Sequence, residues 1–177
     1  MQITKQLIES EYCLRCKGCC RFSQPDSVWL PCLLDEEVLG LIDKADLPVV
    51  LISADKKIQP VPSPEGEGYI CPLLDPGTNK CRIYNQRPFE CRLYPFLINL
   101  RKKKVLLTLD LNCPYVRENL ASPGLKEYTD YIIDFLNDPD QIKTLRDNPW
   151  LLQAYEDVAL LVELKVSDEI ESAGPQR

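Results

Sequence analysis

The 177-residue sequence contains no histidine. That removes the base from Ser–His–Asp and Cys–His mechanisms and leaves no imidazole to bind a metal. No run of about 20 apolar residues occurs, so no membrane-spanning helix is expected. The opening MQITKQLIESEY lacks the continuous apolar stretch of a secretory signal. Positive charge is in deficit, with 21 Lys and Arg against 27 Asp and Glu and a net charge of −6. That balance weighs against general affinity for nucleic acid or for an anionic membrane. Neither G-x-G-x-x-G nor a P-loop is present. A cytoplasmic location is expected, where thiols stay reduced. The nine cysteines, an odd number, do not fit a complete disulfide framework.

A chain of this length buries roughly 70% of its unfolded surface and needs no metal merely to have a core. The pattern predicts an α+β fold in two parts. Residues 1–115 hold every cysteine and read as a small, irregular, metal-stabilised domain of short strands and helices. Residues 116–177 read as a helical extension packed on it, with a disordered tail from about residue 167. Within the first part, Asp35, Glu36 and Glu37 place negative charge at the start of a short helix, VLGLIDK, facing the positive end of its dipole. LPVVLI has the β-branched content of a strand, and QPVPSPEGEG reads as a loop. FLINLRKKKVLLTLDL reads as two strands around a basic turn that is solvated rather than a binding patch. In the extension, Tyr128, Tyr131, Ile132, Phe135 and Leu136 recur at helical spacing. A second helix is expected from Asn148 and Pro149 through LLQAYEDVALLVELK. Its apolar face suits burial against the domain, and a protein partner would dock on these C-terminal helices.

The cysteines carry the chemistry. CLRCKGCC places Cys13, Cys16, Cys19 and Cys20 in eight residues, and Cys71, Cys81, Cys91 and Cys113 follow. Redox catalysis needs one C-x-x-C pair and leaves the other thiols without a purpose. Metal binding needs about four soft ligands per centre from loops that the fold brings together. Eight thiolates suit two four-coordinate centres, or one centre with spare thiols. Proline follows Cys71 and Cys113 and fixes the backbone just past each sulfur. Pro88 starts and Pro95 ends a short turn that carries Cys91. Arg15, Lys17, Arg21, Lys80, Arg82, Arg87 and Arg92 flank these positions and would favour thiolates. The C-x-x-C-x-x-C run, completed by a distant Cys-Pro, matches the loop of a [4Fe–4S] iron–sulfur cluster, while C-x-x-C also serves zinc. Cys32, among apolar neighbours, reads as a free buried cysteine.

CLRCKGCCRF, CPLL and CRIYNQRPFECRLYPF resemble the YkgJ-type cysteine cluster proteins, a family of zinc- or iron-chelating domains. The resemblance covers roughly residues 10–115. It implies chelating cysteines at Cys13, Cys16, Cys19, Cys20, Cys71, Cys81 and Cys91, with Cys113 a fainter match. Some flagellin lysine methylases carry a similar cluster, so the resemblance also admits an iron–sulfur-dependent protein-modifying enzyme. No separate cofactor motif accompanies that alternative, and Cys32 is a departure from the pattern.

Overall fold

A computed structural model describes residues 3, 5–44 and 51–167. Among them are six α-helices and eight short strands in three small sheets, a mixed α+β fold with helices towards the C-terminus. No helix among the described residues is long and apolar enough to cross a membrane. The chain divides into two compact units, Ile8–Arg92 and a second built from Met1–Leu7 and Leu93–Arg177.

The cysteine-rich unit, Ile8–Arg92, is assembled from very short pieces. Helix α1 (Ser10–Arg15) leads to β1 (Arg21–Phe22), and α2 (Asp35–Lys44) follows. Strands β2 (Val61–Pro62), β3 (Tyr69–Ile70), β4 (Leu74–Asp75) and β5 (Lys80–Cys81) come next, with a 3-10 turn at Tyr84–Gln86 and α3 (Phe89–Leu93). The acidic start expected for α2 is present, and Glu37 also accepts a hydrogen bond at 3.0 Å from the amide of Leu34, just before the helix. This is the return half of a capping box. β3 pairs antiparallel with both β1 and β2, and β4 pairs with β5. The Pro/Gly-rich stretch expected to be a loop therefore contains a strand, β2, because β3 offers it an edge. Gly68 follows at φ 86°, where an added Cβ would lie 2.8 Å from the carbonyl oxygen of Phe22. Only glycine fits that approach without a shift. Leu33, Leu41, Ile58 and Leu73 form the buried core, and Cys71, Cys81 and Ile83 pack against it. Most of the LPVVLI strand lies outside the described residues; its last residue, Ile52, bridges to Ile58.

The second unit has longer elements. β6 (Phe96–Arg101) and β7 (Lys104–Asp110) form the expected hairpin, in register from Phe96 opposite Leu109 to Arg101 opposite Lys104. Its turn residues, Lys102 and Lys103, have φ of 50° and 66°. Two positive φ values make a primed two-residue turn, the kind that Asn-Gly fills with least strain. Helices α4 (Pro114–Asn119), α5 (Pro123–Leu136) and α6 (Pro139–Asp147) follow. α5 is the helix read from its tyrosines, capped by Ser122, whose side chain accepts from the amide of Leu125. Tyr128 on α5 stacks near Phe96 of β6, with ring centroids 5.8 Å apart.

The second C-terminal helix is not formed. Pro149–Leu151 is a single 3-10 turn, and Val158–Glu163 is a strand, β8, paired antiparallel with β7. The apolar run is Leu- and Val-rich and is compatible with either state, so the open edge of β7 decides. Buried Asn99 and exposed Arg101 also donate to the carbonyl of Tyr155, at 2.9 and 2.7 Å, taking an acceptor that a helix would use internally. The tail expected to be disordered from about residue 167 lies outside the described residues apart from its first residue, which is described: the buried Ser167 accepts a hydrogen bond from the amide of Val105.

Candidate metal centre

Four short elements carry the thiols of the cysteine-rich unit. Cys13 lies in α1 and Cys16 is its C-cap, followed by a turn that bears Cys19 and Cys20. The amide of Cys71 donates to the carbonyl of Cys20 at 3.0 Å, continuing the β1–β3 ladder, so the end of the first cluster is fastened beside the second. Cys81 ends β5 opposite Leu74, and Cys91 sits in α3. Cys113 belongs to the second unit, where it caps α4 and is buried. All nine cysteines are free thiols.

Cys19, Cys71, Cys81 and Cys91 act on one another. Burial pushes the Cys71 thiol up to about 11, and the neighbouring Cys81 and Cys19 add to the shift. Burial likewise raises Cys91, and Cys71, Cys19 and Cys81 each raise it further. Cys81 is raised by burial and by Cys19, while Arg87 opposes. Cys19 is an exposed residue, and its thiol is raised first by its hydrogen bond with Cys20 and then by partial loss of solvation. These four thiols are near enough that a negative charge on one is felt by the others. In the metal-free state they are thiols, and a cation placed among them would reverse the balance. Cys113 is raised by burial, with the amides of Val116 and Tyr115 and the Tyr94 hydroxyl opposing. Tyr94 also donates to buried Asp110 at 2.7 Å.

The donor set suits a soft metal, being thiols without imidazole. Among the described residues, however, no three Cys, Asp or Glu side chains stand as a ready-made cage for one ion. The thiols converge without closing. Cys32 is buried, as expected of a free cysteine, and burial is also what raises its thiol.

The flanking cations divide. Arg87, stacked 3.9 Å from the Tyr84 ring, is the one whose charge reaches Cys19 and Cys81. Arg21 is engaged with Asn79, Arg92 lies 3.8 Å from Glu37, and Arg82 acts on Asp75. Three residues reach further than their sequence positions indicate. Glu37 accepts from the amide of Phe89 at 2.6 Å and so fixes the start of the helix that carries Cys91. Glu90 accepts from the amide of Cys32 at 2.6 Å, and burial pushes its carboxyl up to about 8. Asn79 donates to the backbone of the first cluster. A carboxylate or amide that binds a distant backbone leaves no spacing signal; only the helix-start position of Glu37 hinted at a role.

A family model described as "Putative zinc- or iron-chelating domain", CxxCxxCC, matches residues 12–114, more than half of the chain. An uncharacterized protein of Methanocaldococcus jannaschii is 46% identical over 41 residues, which are 23% of this chain and 22% of that protein. The match thus spans under a quarter of either chain. No solved structure matches.

Proposed function

Since the chain belongs to the CxxCxxCC family of cysteine-cluster domains, we propose that its cysteine-rich unit holds a metal through Cys19, Cys71, Cys81 and Cys91. The observation that carries this reading is that separate segments are brought together: the Cys71 amide donates to the Cys20 carbonyl at 3.0 Å and Cys71 and Cys81 pack against one core, where the charges of these thiols reach one another. Cys13, Cys16 and Cys20 supply further thiols within the same unit, and Cys113 belongs to the second unit. An iron–sulfur cluster, [4Fe–4S], is the favoured occupant because four thiolates from loops that the fold brings together are its usual donor set; the C-x-x-C-x-x-C run then contributes Cys19 and leaves Cys13 and Cys16 as spare thiols. Such a group would supply one-electron chemistry or a rigid structural node. We infer a reducing, cytoplasmic compartment, a reading supported by the number of cysteines that would have to stay reduced. Zinc is the second reading, favoured by the same all-thiol set, and its role would be structural.

Anaerobic purification followed by quantification of iron, acid-labile sulfide and zinc tests both. Iron with sulfide supports the cluster, and stoichiometric zinc in colourless protein supports the second reading. Protein that binds neither and whose Cys19, Cys71, Cys81 and Cys91 thiols react freely with alkylating reagents overturns metal binding altogether. An enzymatic role resembling the flagellin lysine methylases requires binding of S-adenosylmethionine. Calorimetry on the loaded protein would show that binding or remove the alternative.

A further inference from the structure

Asn79 sits at φ 55°, in the left-handed region, in the turn between β4 and β5 and two residues before Cys81. Its Nδ2 donates to the carbonyls of Leu14 and Cys16, both at 2.8 Å, and approaches that of Cys13 at 3.4 Å. These carbonyls close α1, whose last turn has no intrahelical donors for them. Its Oδ1 accepts from Nη1 of Arg21 at 2.7 Å. A guanidinium can only donate, so the amide cannot be flipped without losing both sets of bonds. The turn itself is fixed by Asp75, which accepts from the amide of Gly77 at 3.0 Å and the hydroxyl of Thr78 at 2.7 Å. One side chain therefore ties the start of the first cysteine cluster, and the arginine just past its end, to the turn entering Cys81. The bonds span 58 to 66 residues of sequence.

We propose that Asn79 is a positioning residue for the cysteine site: a latch whose amide sets where the Cys13–Cys16 segment, and with it those two thiols, stands relative to the Cys81 turn. Its bearing on metal retention rests on the thiolate reading above; the latch itself is a property of the metal-free fold. A residue needed only to make the turn would act through its backbone. Glycine adopts the same φ freely and lacks the amide, so Asn79→Gly removes the latch and spares the turn. Asn79→Asp keeps the shape but sets a carboxylate against carbonyl oxygens.

Two measurements separate the possibilities. In metal-stripped, reduced protein, peptide-resolved alkylation of Asn79→Gly and Asn79→Asp should accelerate at Cys13 and Cys16, with Cys71 and Cys91 unchanged. In zinc-loaded protein, both variants should release zinc to a competing chelator about tenfold faster, the scale on which supporting residues tune metal sites. An unaltered alkylation pattern in Asn79→Gly, or acceleration at every cysteine together, would overturn the latch. Selective acceleration at Cys13 and Cys16 in a chain that holds neither zinc nor iron would support the latch while overturning the metal reading. Selective acceleration with unchanged zinc release would overturn the link between the two.

Discussion

The two units of this chain are held together by different means. In the second unit the backbone pairs with itself over six- and seven-residue strands and a 14-residue helix. In the cysteine-rich unit the strands are two residues long, and side chains reach across to backbone instead. Asn79 binds the end of α1, Glu37 the start of α3, and Glu90 the backbone at Cys32. Two-residue ladders supply little cooperative stability by themselves. A unit built this way has room for a ligand that draws its loops together, and its thiols converge without forming a closed cage. The difference teaches that the second unit is a self-sufficient scaffold and the first a frame awaiting a cross-link.

The comparison breaks first at the thiols. Cys71→Ala and Cys91→Ala should each abolish metal retention, read as metal per chain, whereas Cys32→Ala should leave it unchanged. Retained metal in the first two, or loss in the third, would reassign the ligands. Removal of the metal with a chelator under reducing conditions should come next in size. Structural zinc in small peptides contributes about 10–16 kcal/mol, so hydrogen exchange should accelerate around Cys20, Cys71 and Cys81 while β6 and β7 stay protected. Uniform acceleration in both units would contradict the contrast.

The pH dependence follows from the raised thiols. Cys71, at about 11, and Cys91 are neutral at physiological pH in the metal-free protein. The ligand form is the thiolate, so loading must expel protons, and affinity should rise as pH rises. Zinc titrations in buffers of different ionisation enthalpy would show the release; heats independent of buffer would contradict it. In the second unit, Asn99→Ala removes one of two donors to the Tyr155 carbonyl, Arg101 remaining, and should cost about 0.5–1.5 kcal/mol in denaturant unfolding without changing metal content. The smallest effect is a gain. Replacing Lys102-Lys103 by Asn-Gly relieves two strained positive φ values and should stabilise the hairpin by roughly 1 kcal/mol.

Much of the second unit was legible because its signals are local. The hairpin announces itself by two apolar runs around RKKK, and α5 by tyrosines at helical spacing. β8 was not, since VALLVE satisfies either period and its state depends on the free edge of β7, far away in sequence. The cysteines of the candidate site were legible as a set, because soft ligands in clusters have few other uses. Their framework was not. Asn79 and Glu90 carry no spacing signal, because the backbone groups they serve lie tens of residues away in sequence.

The most direct measurement is the metal and acid-labile sulfide content of anaerobically isolated protein, taken together with its visible absorption spectrum. The proposed reading predicts a coloured protein with iron and sulfide in cluster proportion, bound through the cysteine-rich unit. A colourless protein with neither iron nor zinc, and with Cys13, Cys16, Cys19, Cys20, Cys71, Cys81 and Cys91 all open to alkylation, would contradict it.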